Sequence, residues 1–148
     1  MSNGGALPLA ITPKVRDACL CLHVQRAARA LARRFDEAFR PLGLTNGQFS
    51  LLMSLNRPGP ARMAEVAALL AMDRTTLTAA LKPLLRRKLA QVTVDRADKR
   101  GRQMTLTPAG GKLLRRAVPI WTREHAVVER LVANKGAGRL RGDLRALS

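Results

Sequence analysis

The sequence predicts a mainly α-helical fold with a small β-hairpin, and three observations predict it. Apolar residues recur at three- and four-residue steps over most of the chain. Two short helical stretches meet at a tight turn just before Asp73. Alternating, β-branched stretches, Gln91 to Val94 and Gln103 to Leu106, flank a charged segment that contains Gly101. With 148 residues the chain is long enough for one core and too short for two.

Taken in order, residues 1–13 form a flexible N-terminal tail interrupted by Gly and Pro, without the pattern of a secretory leader. Residues 14–40 then read as one long helix. Val15, Leu22, Leu31, Phe35 and Phe39 share its apolar stripe, Arg26, Arg29 and Arg33 take other positions, and Pro41 ends it. A small domain cannot cover a stripe of that length alone, so the helix is expected to pack against a second copy of the chain.

Thr45 is a natural N-cap for a helix over Gln48 to Asn56, which Arg57-Pro58-Gly59-Pro60 terminates. An Ala-rich helix follows over Arg62 to Ala71, and Asp73 caps the next, which runs to Lys88 with a kink at Pro83. After the hairpin, Thr107-Pro108 places a cap and a first-turn proline ahead of a helix carrying Leu113, Leu114, Ala117, Val118, Trp121 and Leu131, with a bend at Pro119. Residues 134–138 end it, and Leu140, Leu144 and Leu147 suit a last short helix. The expected organisation beyond the tail is a single domain over 14–148, in which 14–40 and 108–148 supply dimerisation helices around a core at 45–107.

Charge narrows the function. Lys and Arg number 27 against 10 Asp and Glu, a formal charge of +17, which calls for a polyanionic partner. Aromatic residues are only 3% of the chain and Tyr is absent, so there is little on which single-stranded bases could stack. Duplex DNA fits better. Apolar runs are far too short for a membrane span, and a cytoplasmic location is expected. His23 and His125 belong to no cluster of ligand spacing, so neither metal nor cofactor is expected, and no catalytic constellation presents itself.

The basic residues are concentrated where a duplex reader needs them. Between Arg74 and Arg102 lie Arg74, Lys82, Arg86, Arg87, Lys88, Arg96, Lys99, Arg100 and Arg102, opposed only by Asp95 and Asp98. Helix, turn, helix and basic hairpin together make a winged helix-turn-helix. Its second helix can enter the major groove while the hairpin places a cation in the minor groove. The candidate DNA contacts are therefore Arg74, Thr75, Thr76, Thr78, Lys82 and Arg86 on the helix, and Arg96, Lys99, Arg100 and Arg102 on the wing.

These residues resemble the MarR-type transcriptional regulators over nearly the whole chain. Asp98-Lys99-Arg100, followed by Leu106-Thr107 and Gly110, is similar to that family's D-x-R wing and L-T-x-x-G motif. Asp73-Arg74-Thr75-Thr76-Leu77-Thr78, Leu42-Gly43-Leu44-Thr45 and Gln48-Phe49 are similar to its recognition-helix start and second-helix start. The resemblance implies a homodimer on a pseudo-palindromic operator, acting as a repressor and released by a small-molecule effector. It further implies that the helix from Asp73 reads the major groove, that Arg100 enters the minor groove, and that Asp98 holds the wing by an ion pair with a nearby arginine. The sequence departs at Lys88, where the family ends the recognition helix with a left-handed Gly.

Two rival readings stand beside this one. A non-specific architectural protein would bind by charge alone. A thiol-based sensor would use Cys19 or Cys21, with Arg16, His23 or Arg26 to activate the sulfur; the resemblance supports it through the family's peroxide sensors, but those rely on tyrosines and this chain has none. On one continuous helix the two sulfurs point about 200° apart and cannot bridge. Trp121 and its apolar neighbours read as dimer packing in preference to a ligand box.

Overall fold

The computed structural model describes residues 5–132 and 136–148. The chain divides into two compact units, Met1–Arg34 and Phe35–Ser148.

The first unit is helical. α1 (Ile11–Ala18) begins inside the expected tail, because Pro13 falls in its first turn, where a missing N–H costs nothing. The expected continuous helix is interrupted at Cys19, whose extended backbone (φ −70°, ψ 107°) separates α1 from α2 (Leu20–Phe39). The Cys19 side chain caps the new helix, its sulfur accepting from the Leu22 N–H at 3.5 Å, while the Cys19 carbonyl meets His23 Nδ1 at 2.8 Å. No described residue of this unit is buried, and Val15, Leu20, Val24 and Leu31 stand exposed.

The second unit holds the core. After the end of α2, a 3₁₀ turn (Arg40–Leu42) closes on Gly43, whose φ of +59° explains why glycine stands there. α3 (Asn46–Ser54) starts with a reciprocal capping box, Thr45 accepting from the Gln48 N–H and Gln48 from the Thr45 N–H. A two-residue strand, β1 (Ala61–Arg62), precedes α4 (Met63–Leu69), and α5 (Arg74–Arg86) continues through Pro83. The α4–α5 turn passes through Ala71 at φ +51°. β2 (Ala90–Val94) and β3 (Arg102–Leu106) form the hairpin, and β1 adds to the far edge of β3 to give an antiparallel sheet of order β1-β3-β2. Met104 lies opposite Ala61 on one side and Val92 on the other, and Gln103 opposite Arg62 and Thr93.

Phe39, Leu51, Leu52, Val66, Leu77, Leu84 and Met104 are fully enclosed, and Phe39 stacks on Phe49 at 4.8 Å. α6 (Pro108–Leu131) leaves the sheet with Thr107 as its cap, as expected. Gly110 lets α6 pass directly over the Leu89 carbonyl: a Cβ there would lie 2.2 Å from that oxygen. α7 (Ala137–Ala146) is the predicted last helix; the expected break at 134–138 lies partly outside the described residues. Val118, Leu131, Leu140, Leu144 and Leu147 remain exposed.

Candidate nucleic-acid interface

α5 is positioned by its buried side. Leu77, Leu81 and Leu84 anchor it in the core, while Asp73 fixes its first turn by accepting the Thr76 N–H at 2.7 Å. That bond favours the ionised carboxylate and holds the Asp73 carboxyl below its usual range. On the opposite side, Arg74, Thr75, Thr78, Ala79 and Lys82 line one shallow depression, with Arg86 a further turn along. Five of the six helix residues singled out by sequence thus share a face. Thr76 does not line that depression; at 100° per residue it sits a further step round the helix from Thr75. Ala79, which polarity alone does not single out, lines it instead.

One hydroxyl on this face is already committed. Thr78 Oγ1 donates to the Arg74 carbonyl at 2.8 Å. Arg87, beside the face, is also occupied, donating to the Gly43 carbonyl at 2.6 Å and so tying the end of α5 to the turn before α3.

The wing is held by two aspartates with different tasks. Asp95, 5% exposed, accepts the Ala97 N–H at 2.9 Å and pairs with Arg62 Nε at 3.5 Å. Asp98 accepts the Arg100 N–H at 3.0 Å, and its carbonyl takes the Gly101 N–H at 2.8 Å. The expected ion pair of Asp98 with an arginine is therefore corrected. Asp98 stands at the tip of the turn, where a short carboxylate folds onto the backbone two residues on, whereas Asp95 closes β2 pointing inward and meets the side chain of β1. Among the described residues, no carboxylate pairs with Arg74, Lys82, Arg86, Arg96, Lys99, Arg100 or Arg102.

Lys88 adopts φ +56°, the left-handed conformation that the resemblance associates with Gly. The Leu89 N–H returns to the Leu84 carbonyl at 2.9 Å, closing the helix despite the Cβ. Thr107 Oγ1 donates to the Lys88 carbonyl at 2.7 Å and itself accepts the Gly110 N–H at 3.0 Å. Thr107 thereby joins the end of the α5 segment to the start of α6.

A second concavity, of about 450 Å³, lies among α3, α4 and α6 in the same unit. Phe49, Met53, Leu69, Val118 and Trp121 give it apolar walls, and Trp121 stacks on His125 at 4.5 Å. Cys19 is half-buried, Cys21 is exposed, and both thiols are free. Cys19 is not helical, so the expected arrangement of the pair on one helix does not hold. Arg16 is engaged by Asp17, and the Cys21 sulfur accepts from Gln25 Nε2 at 3.0 Å. Among the described residues no group of three His, Cys, Asp or Glu could hold a metal, and no helix is long and apolar enough to cross a membrane.

Comparison with known proteins agrees with this geometry. A MarR family model matches residues 42–101, from the turn before α3 to the wing. The M. tuberculosis transcriptional regulator MosR, solved in complex with DNA, is similar at 39% identity and a TM-score of 0.79, over 87% of this chain and 92% of that one. The chain belongs to the MarR family. Within it, the repressor CouR bound to a 23-mer DNA duplex is similar at 25% identity and a TM-score of 0.78, over 97% of this chain and 99% of that one. The transcriptional repressor NicR of Pseudomonas putida is 34% identical over 76 residues, 51% of this chain and 48% of NicR, so that match spans about half of the relative's length. The MarR assignment accounts for the winged helix-turn-helix.

Proposed function

We propose that this chain is a homodimeric, sequence-specific DNA-binding regulator of transcription, acting in the cytoplasm as a repressor. The observation that carries the reading is the single face of α5 on which Arg74, Thr75, Thr78 and Lys82 converge, opposite three buried leucines. That face suits the major groove. The wing cations, free of carboxylate partners, suit phosphates and the adjacent minor groove, with Arg100 at the tip beside the Asp98 turn. MosR and CouR were each solved with DNA, and CouR and NicR are repressors, which supports the same role here.

A second copy supplies what a lone chain lacks. Val15 of α1 and Leu20, Val24 and Leu31 of α2 are uncovered, as are Leu131, Leu140, Leu144 and Leu147 near the other end of the chain, and pairing through these helices removes them from water. Two recognition helices then meet half-sites about 34–36 Å apart. The apolar concavity beside Trp121 suits a small effector, which shifts binding by preferring one dimer geometry over another.

Hydroxyl-radical footprinting on the DNA flanking the chain's own gene tests this reading. Two symmetric protected half-sites one helical turn apart are expected. Protection that follows charge density alone, with no preferred position, overturns it in favour of the architectural protein.

A further inference from the structure

The recognition face carries a chemical bias that its polar sequence conceals. Thr78 would ordinarily be read as a hydrogen-bonding residue, since its hydroxyl can donate to or accept from any base edge. Here Oγ1 donates to the Arg74 carbonyl one turn back, so its single proton is spent inside the helix and the oxygen is drawn towards the backbone. The part of Thr78 left to line the depression is its methyl group. Ala79 beside it offers only a methyl, and Thr75 lies one turn before both. Between Arg74 and Lys82, the long donors at its two ends, the face thus presents two methyl groups beside the Thr75 side chain.

The geometry points to Thr78 and Ala79 as readers of thymine C5-methyl groups within each half-site. Thymine alone presents a methyl in the major groove. The flanking Arg74 and Lys82 are long enough to reach guanine O6 and N7 or the phosphates on either side of that thymine. This inference rests on the proposed placement of α5 in the major groove, and it goes further in stating which base chemistry that helix selects.

Replacing thymine by deoxyuridine removes the methyl and nothing else. The duplex is first selected from a random library by the full-length protein, and each thymine of one half-site is then exchanged in turn. Loss of affinity of about fourfold, the equivalent of one buried methyl, is expected at one or two positions. At one of them Thr78→Ser, which keeps the hydroxyl and discards the methyl, should lose about as much on the thymine duplex and nothing more on the deoxyuridine duplex. Thr78 is exposed, so the substitution leaves the core undisturbed. Unchanged affinity for every deoxyuridine duplex, with scrambled DNA still rejected, overturns methyl reading and leaves the operator reading standing. Failure of the selection to converge on any sequence overturns both.

Discussion

Arg62 on β1 and Asp95 at the end of β2 meet across the root of the wing, Nε to Oδ2 at 3.5 Å, with the carboxylate almost wholly enclosed and the guanidinium largely open to solvent. Through β3 the two strands already share a sheet; the ion pair adds a side-chain tie that fixes where the hairpin leaves it. Asp95 also accepts the Ala97 N–H, so it sets the first turn of the tip as well as its root.

Asp95→Asn separates positioning from charge. The amide oxygen can still accept from Ala97, but the pair with Arg62 is gone and the protein gains a unit of positive charge. Charge alone would tighten DNA binding. The positioning account predicts weaker binding, by about tenfold, with the salt dependence little changed, which fluorescence anisotropy on a fixed operator measures. Asp95→Ala additionally leaves the Ala97 N–H without its acceptor and should cost about 2 kcal/mol of stability in denaturant titration.

Lys88 holds a left-handed backbone at the cost of a Cβ contact that glycine avoids. Lys88→Gly should therefore raise stability by about 1 kcal/mol and the melting temperature by about 2–4 °C. An unchanged or lower melting temperature would show that the Lys88 side chain contributes packing beyond its backbone.

Gly110 is required for a steric reason. With a Cβ 2.2 Å from the Leu89 carbonyl and 2.7 Å from Leu106 Cδ1, Gly110→Ala must push α6 off the sheet. A loss of about 2 kcal/mol or more is expected in thermal or chemical unfolding. Gly111→Ala, whose added atom meets nothing closer than 4.0 Å, is the control and should be neutral or stabilising.

Asp73 gives α5 an acid limit. Its folded pKa lies below its unfolded one because the Thr76 N–H binds the carboxylate. The stabilisation is thus complete above the ordinary carboxylate range, about pH 4, and is lost as the pH falls through the folded value. Asp73→Asn keeps a cap without a titrating group and should flatten this part of the acid limb in melting curves taken from pH 6 to pH 3. Asp73→Ala should lower the melting temperature at pH 7 as well.

Much of this is legible in the sequence because it is local. Thr45, Asp73 and Thr107 each stand immediately before an apolar-periodic run, and each proves to cap its helix with the side-chain oxygen. What was not legible depends on distance or on direction. β1 is only two residues long, too short to show alternation, and it becomes a strand because β3 offers an unpaired edge. The Arg62–Asp95 pair is made by folding, and charge near the tip draws attention to Asp98 instead. Cys19 interrupts a stripe whose apolar spacing continues through the break. On α5, polarity picks out Thr76 and passes over Ala79, whereas helical geometry does the reverse.

The central claim is that α5 and the wing read sequence, not charge. Its most direct test is the affinity of the purified protein for the DNA flanking its own gene against a scrambled duplex of equal length, at physiological salt and at rising salt. A preference of ~10³-fold or more for the native duplex, retained as salt weakens both, is the predicted result. Equal affinities that vanish together would contradict it.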